Sequence, residues 1–152
     1  MTSLPIVSES DAHIIEERFS GFHDAFFSRI EISSTDKFQE DGSHLLTGEL
    51  TLILEIWHNN YDAAARGRGR IVRGTFQGVR DIALIFRGHT VEWSIYALSF
   101  HAAMRVSEYG DSEACLQARL VTSVYEPETG WGQIENDIFT FKIGSFEELI
   151  DG

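Results

Sequence analysis

Between Leu50 and Trp57 the chain alternates strictly with a period of two. Leu50, Leu52, Leu54 and Ile56 hold one parity, and Thr51, Ile53, Glu55 and Trp57 hold the other. Successive side chains of a strand point to opposite faces, so this stretch buries one face and leaves the other mixed. A helix would scatter the same residues around its axis. Period-two or short apolar runs recur at Phe22 to Ser33, Leu45 to His58, Ile71 to Gln77, Val79 to Phe86, Thr90 to Tyr96, Glu113 to Tyr125 and Gln133 to Ile143. They are separated by turn chemistry at Asn59-Asn60-Tyr61-Asp62, Gly88-His89 and Glu126-Pro127-Glu128-Thr129-Gly130, with Gly78 marking a bulge or bend. Gly110-Asp111 reads as a two-residue hairpin turn. Residues 97–109 read either way: Ala102, Ala103 and Met104 favour helix, whereas Phe100, Met104 and Val106 alternate as in a strand.

One segment has helical punctuation. Ser8, Ser10 and Asp11 are N-cap candidates, Glu9 and Asp11 suit the positive end of a helix dipole, and Gly21 is placed to stop the helix. The pattern therefore predicts an α+β fold, a mainly antiparallel β-sheet arranged as a meander of about 7–9 strands with a short N-terminal helix packed on it. The residues after Ser145, Phe146 to Gly152, read as a short acidic tail. With 152 residues, 43% of them hydrophobic, the chain is long enough to bury a core as a single domain spanning residues 1–152. No apolar run reaches the length of a membrane span and no basic-then-apolar leader precedes the helix. Cys115 is the one cysteine, which excludes an intrachain disulfide and a multi-cysteine zinc site and fits a reducing, cytoplasmic setting.

Charge narrows the partners. The formal net charge is −12, so general affinity for nucleic acid or anionic membrane is not expected, because both bind through cations. The distribution is uneven. Residues 66–87 hold six arginines (Arg66, Arg68, Arg70, Arg73, Arg80 and Arg87) against Asp81, a local +5 that leaves −17 elsewhere. From residue 126 onward, Glu126, Glu128, Glu135, Asp137, Glu147, Glu148 and Asp151 face Lys142 alone. Either the arginines answer these acids within the fold, or an acidic face steers a basic protein partner.

Sites of chemistry are few. The six histidines (His13, His23, His44, His58, His89 and His101) have no metal-ligand spacing, so neither a metal site nor a cofactor is expected. No G-x-S-x-G elbow or phosphate-binding glycine loop occurs. Pairing the first two long strands so that residue numbers sum to about 80 gathers Phe26, Ile30 and Ile32 with the leucines on one face. Arg29, Glu31, Glu49 and Glu55 then share the other face, and Asp24 falls diagonal to His58 on the apolar side. Asp24 and His58 are accordingly binding candidates, as an edge pair closing the hairpin or as the polar groups of a small-ligand pocket or enzyme site. Trp131, between Gly130 and Gly132, is the third: it folds back on the sheet or stands exposed as a partner anchor. Arg66-Gly67-Arg68-Gly69-Arg70 is similar to short RNA-contacting segments, but in so acidic a chain it reads as a turn answering carboxylates. Cys115 reads as a small packed residue.

Phe22-His23-Asp24-Ala25, Leu50-Thr51-Leu52-Ile53-Leu54-Glu55, and Phe76-Gln77-Gly78-Val79 followed by Ile82 and Leu84 occur in an order that resembles small bacterial domains, including immunity-type proteins encoded beside polymorphic toxins. That resemblance implies a cytoplasmic α+β protein without catalysis that binds a toxin domain through one surface. It carries no functional residues to this chain. Exposed strand edges also leave a homo-oligomer open.

Overall fold

The computed structural model describes residues 3–46, 49–59, 69–84, 94–107 and 109–149. The first elements are strand β1 (Ser3–Ile6), helix α1 (Glu9–Arg18), a 3-10 turn (Ser20–Phe22), β2 (Ala25–Ser34), a small ribbon of β3 (Lys37–Phe38) and β4 (His44–Leu45), and β5 (Leu50–Asn59). There follow β6 (Gly69–Val79), β7 (Ser94–Ile95), β8 (Ala97–Val106), β9 (Ser112–Glu126), β10 (Gly130–Phe141) and β11 (Ile143–Leu149). One six-stranded sheet has the order β1-β11-β6-β5-β2-β7 and a three-stranded sheet has the order β10-β9-β8. Every strand pairing is antiparallel. The expected mainly antiparallel α+β architecture is thus present, and residues 97–106 are strand.

Phenylalanine rings join the two sheets. Phe76 of β6 and Phe146 of β11 project from the first sheet to meet Phe100, Phe139 and Phe141 of the second, with Phe76 centroids 4.9 to 5.9 Å from its four neighbours. All five rings are buried. Each contributes about 1.5–3 kcal/mol through burial. The first-sheet rings fit because glycine stands opposite each of them. In the β6–β11 register Gly74 faces Phe146 and Gly144 faces Phe76. A methyl at Gly74 would lie 2.7 Å from Phe146 Cε1, and one at Gly144 would lie 2.9 Å from Phe76 Cδ1. Each ring lies across the bare backbone of its neighbour, which pins both register and face.

Helix α1 packs Ala12 and Ile15 into this core. Its Ser8 side chain caps Asp11 N. It also covers the free edge of β8: Glu16 Oε1 accepts from Phe100 N at 3.2 Å and Glu9 Oε1 from Ala102 N at 2.8 Å. Two edge amides that would template further pairing are thereby taken.

Charges lock what the rings align. Across the outer face of the first sheet, Arg29, Glu55, Arg73 and Glu147 are successive register partners on four strands. Glu55 Oε1 receives Arg29 at 3.2 Å and Arg73 at 2.9 Å, and Glu147 lies 3.7 Å from Arg73. Arg29 also pairs with Glu31, and Glu148 takes Arg18 and Arg70. At the junction between the sheets Arg105 of β8 is buried, with its side chain only 2% exposed. It donates to Glu113 Oε1 at 2.7 Å, Gly78 O at 2.6 Å and Thr140 Oγ1 at 3.1 Å. Glu49 and Glu113 also receive Arg80 and Lys142. The arginines of residues 70–80 therefore do answer the chain's own acids.

Several expectations change. Phe146 does not open an acidic tail: β11 is an inner strand between β1 and β6, because Gly144 and Phe146 serve the core while Glu147 and Glu148 meet arginines. β2 begins at Ala25 rather than Phe22, since Ser20, Gly21, Phe22 and Asp24 take positive φ. β2 and β5 pair with numbers summing to 84, for example Ile30 with Leu54, rather than 80; the even parity holds. A bulge between Phe27 and Arg29 turns Phe27 inward and leaves Phe26 half-exposed, stacked on Trp57. The strand expected over Val79 to Phe86 stops at Val79, after which Asp81 takes positive φ. Leu45 belongs to the separate β3–β4 ribbon. The hairpin at Gly110 spans residues 107–111, closed by Ser107 N donating to Asp111 O. The turn at residues 60–62, Arg66 and Arg68, Gly88-His89 and residues 90–93 lie outside the described residues.

Three stability results follow from these contacts. Gly74→Ala and Gly144→Ala each lower the free energy of urea unfolding by about 1–3 kcal/mol, because the core rings have nowhere to move. Gly132→Ala, whose methyl meets nothing within 4 Å, changes it by less than about 0.5 kcal/mol. Arg105→Ala lowers it by about 1–3 kcal/mol by removing the buried donor to Gly78 O and Thr140 Oγ1. The arginine hydrogen bonds hold the carboxyls of Glu55 (from Arg73 first) and Glu113 (from Arg105) below the ordinary glutamate range. Their stabilisation is complete above about 4.3, the unfolded value, and is lost as pH falls through the depressed folded values. Unfolding free energy measured against pH therefore declines below that point, with a shallower acid limb in Glu55→Gln.

Candidate functional site

The β9–β10 ribbon extends beyond the packed part of the second sheet. Residues 131–137 of β10 are all exposed, whereas Ile138 to Phe141 are buried. The register runs from Gly130 opposite Glu126 to Asp137 opposite Arg119, and breaks at a bulge between Asp137 and Phe139. Gly130 makes the turn with φ +81. Thr129 closes the turn by donating its N–H to Glu126 O at 3.2 Å and its hydroxyl to Glu126 Oε2 at 3.3 Å.

Alternation then sets one face of the ribbon. Trp131 is opposite Tyr125 and Gln133 opposite Ser123, so these four share a side. The Trp131 and Tyr125 rings lie 5.4 Å apart, and both stay largely exposed, at 68% and 60%. Tyr96 reaches the same side from the other flank of β9, held by its N–H donating to Val121 O at 2.9 Å. Tyr96, Ser123, Trp131, Gly132 and Gln133 line an open depression of about 400 Å³.

A strained turn supports its rim. Ser20, Phe22 and Asp24 hold positive φ, which costs a non-glycine residue about 1–3 kcal/mol each and persists where the surroundings enforce it. The turn presents His23, whose Nδ1 sits 3.0 Å from Tyr96 O and whose ring meets Tyr96 edge-on at 4.8 Å. Asp24 Oδ2 is 3.6 Å from His23 Nε2.

Two of the three sequence candidates therefore bracket one place: Trp131 in the depression, and Asp24 linked to it through His23 and Tyr96. His58 is elsewhere. It follows Leu52, Leu54 and Ile56 on the buried face of β5, edge-on to Phe19 at 5.4 Å. Asp24 is not on the apolar side diagonal to His58, because the left-handed backbone before β2 takes it out of the pleat and into solvent. Tyr96, Tyr125, Ser123 and Gln133 escaped the sequence reading. The loop at Glu126 to Gly130 could have supplied Tyr125 opposite Trp131, whereas Tyr96 arrives only through a pairing distant in sequence.

The ribbon is predominantly acidic. Arg119 is shared by Asp137 at 3.0 Å and Glu135 at 3.2 Å, and the Asp137 hydrogen bond holds its guanidinium more firmly protonated. Residues 119–137 carry four acids against this one arginine, a net −3. Glu128 has no ion pair among the described residues. Ser99 Oγ lies 2.8 Å from His101 Nε2, but no described carboxylate orients that imidazole as a hydrolytic triad requires. Burial pushes the Cys115 thiol up, away from thiolate chemistry. Among the described residues, no group of three or more His, Cys, Asp or Glu is placed to hold a metal ion, and no helix is long and apolar enough to cross a membrane.

No protein-family model, no curated protein and no solved structure matches the chain.

Trp131→Phe tests the exposed ring directly. The difference spectrum between wild type and variant shows emission at the red, solvent-exposed edge that acrylamide quenches, and unfolding free energy moves by less than about 0.5 kcal/mol. A blue-edge, unquenched difference spectrum places the indole in the core instead.

Proposed function

We propose that this chain is a soluble, non-enzymatic interaction protein that binds a basic protein partner through the β9–β10 ribbon and the depression beside it. The observation that carries the reading is the coincidence of three exposed aromatic residues, Tyr96, Tyr125 and Trp131, with a segment of net charge −3. Tyrosine and tryptophan supply large contact area at low entropy cost and dominate binding hot spots. Surrounding carboxylates raise the encounter rate with a cationic surface and reject acidic ones. The first sheet's acids pair with arginines, whereas the ribbon sets its excess acids beside exposed rings.

The immunity-type resemblance supplies the biological form of this reading: a bacterial cytoplasmic protein that neutralises a basic toxin domain made from the adjacent gene. A small-ligand site built on Asp24 and His58 is the weaker reading, since His58 packs beside Phe19 while Asp24 faces solvent.

Titration against the product of the adjacent gene tests the proposal. Binding is expected to weaken about tenfold or more between low and high salt, mainly through the association rate. The triple reversal Glu126→Lys, Glu128→Lys and Glu135→Lys is expected to slow association by about tenfold or more while the thermal midpoint stays close to wild type. Absence of binding at low salt, or affinity indifferent to the reversal, rejects the ribbon as the docking surface.

A further inference from the structure

We propose that the depression holds a guanidinium group, so that the partner's anchoring residue is an arginine stacked on Trp131. This rests on the basic-partner reading and names the chemistry of its central contact. The five described residues lining the depression (Tyr96, Ser123, Trp131, Gly132 and Gln133) include no charged side chain. A lysine ammonium is compact and strongly hydrated, and it would lose water there without meeting a carboxylate. A guanidinium is planar and weakly hydrated, stacks on aromatic faces, and keeps its N–H edge free for acceptors. The lining matches that division of labour. Trp131 and Tyr96 offer ring surface, and Ser123 Oγ and Gln133 Oε1 offer acceptors between them.

Charge complementarity comes from the rim rather than the floor. Glu126, opposite Gly130, lies at the turn on the other pleat face from Trp131, where the Thr129 hydroxyl donates to it. Glu135 lies two residues beyond Gln133 on the same face, about 7 Å along the strand. The cation is thus attracted by carboxylates it need not touch, and its site is preformed by the His23 contact that fixes Tyr96.

Two blocked peptides probe this, one alternating glycine with arginine and the other glycine with lysine, at equal length and charge and at low salt. The arginine peptide is expected to bind about tenfold more tightly, the size of a partly desolvated cation–π contact, and to shift the Trp131 indole N–H resonance. Trp131→Ala removes the preference, and Trp131→Phe retains part of it, which separates ring stacking from loss of fold. Equal affinities in wild type, or a preference that survives Trp131→Ala, overturns the arginine pocket but leaves the basic-partner reading to the charge-reversal titration. If neither peptide binds, the pocket is overturned, and failure of the adjacent-gene product to bind as well rejects the broader proposal.

Discussion

The pairing of Phe76 over Gly144 and Phe146 over Gly74 sets the geometry on which the rest of the molecule depends. Two bulky rings and two bare backbones occupy one crossing of β6 and β11; a slip of two residues one way would set Phe76 opposite Phe146, and a slip of two the other way would set Gly74 opposite Gly144. Fixing that register aims Phe76 at Phe100, Phe139 and Phe141 and Phe146 at Phe100, which is how the two sheets find one another. The Arg105 junction then closes the far end, satisfying Gly78 O and Thr140 with the same side chain that meets Glu113. Rings supply most of the free energy and buried charge supplies direction.

The division of charge follows from this arrangement. Arginines that look anomalous in so acidic a chain lie on β6 and its exit, where strands from both sides bring Glu55, Glu147, Glu148, Glu49 and Glu113 within reach. Exposed pairs of this kind are individually weak, but a ladder crossing four strands rewards one register over its neighbours. Residues 119–137 of the β9–β10 ribbon lie outside that scheme and hold one arginine among four acids. Its aromatic residues stay in water because the ribbon carries them past the edge of the core.

How far the sequence revealed this depended on whether the signal was local. The alternation from Leu50 to Trp57 named a strand and its buried face, and Ser8 with Asp11 named the helix start. Parity fixed which residues of β2 beyond the bulge share a side with those of β5 even though the offset differed by four, but it misplaced Phe26, which the bulge turns outward. Phe146 was misread because its neighbours Glu147 and Glu148 look like a tail until Arg70, Arg73 and Arg18 are seen beside them. Trp131 was recognisable from its flanking glycines. Tyr96 was not, because its place beside Ser123 comes from β7 and β8 docking on β9, with no trace in the residues around it.

The position of β11 between β1 and β6 reaches back to synthesis on the ribosome. While the nascent chain is shorter than 143 residues, β6 lacks one neighbour, and Phe76 faces a strand not yet made. Helix α1, β2 and β5 can assemble early, but β1 waits for a partner nearly a whole chain length away. Closure is therefore a late, non-local step, slow by the measure of contact order, and until it occurs an apolar strand edge is available to any other incomplete copy nearby.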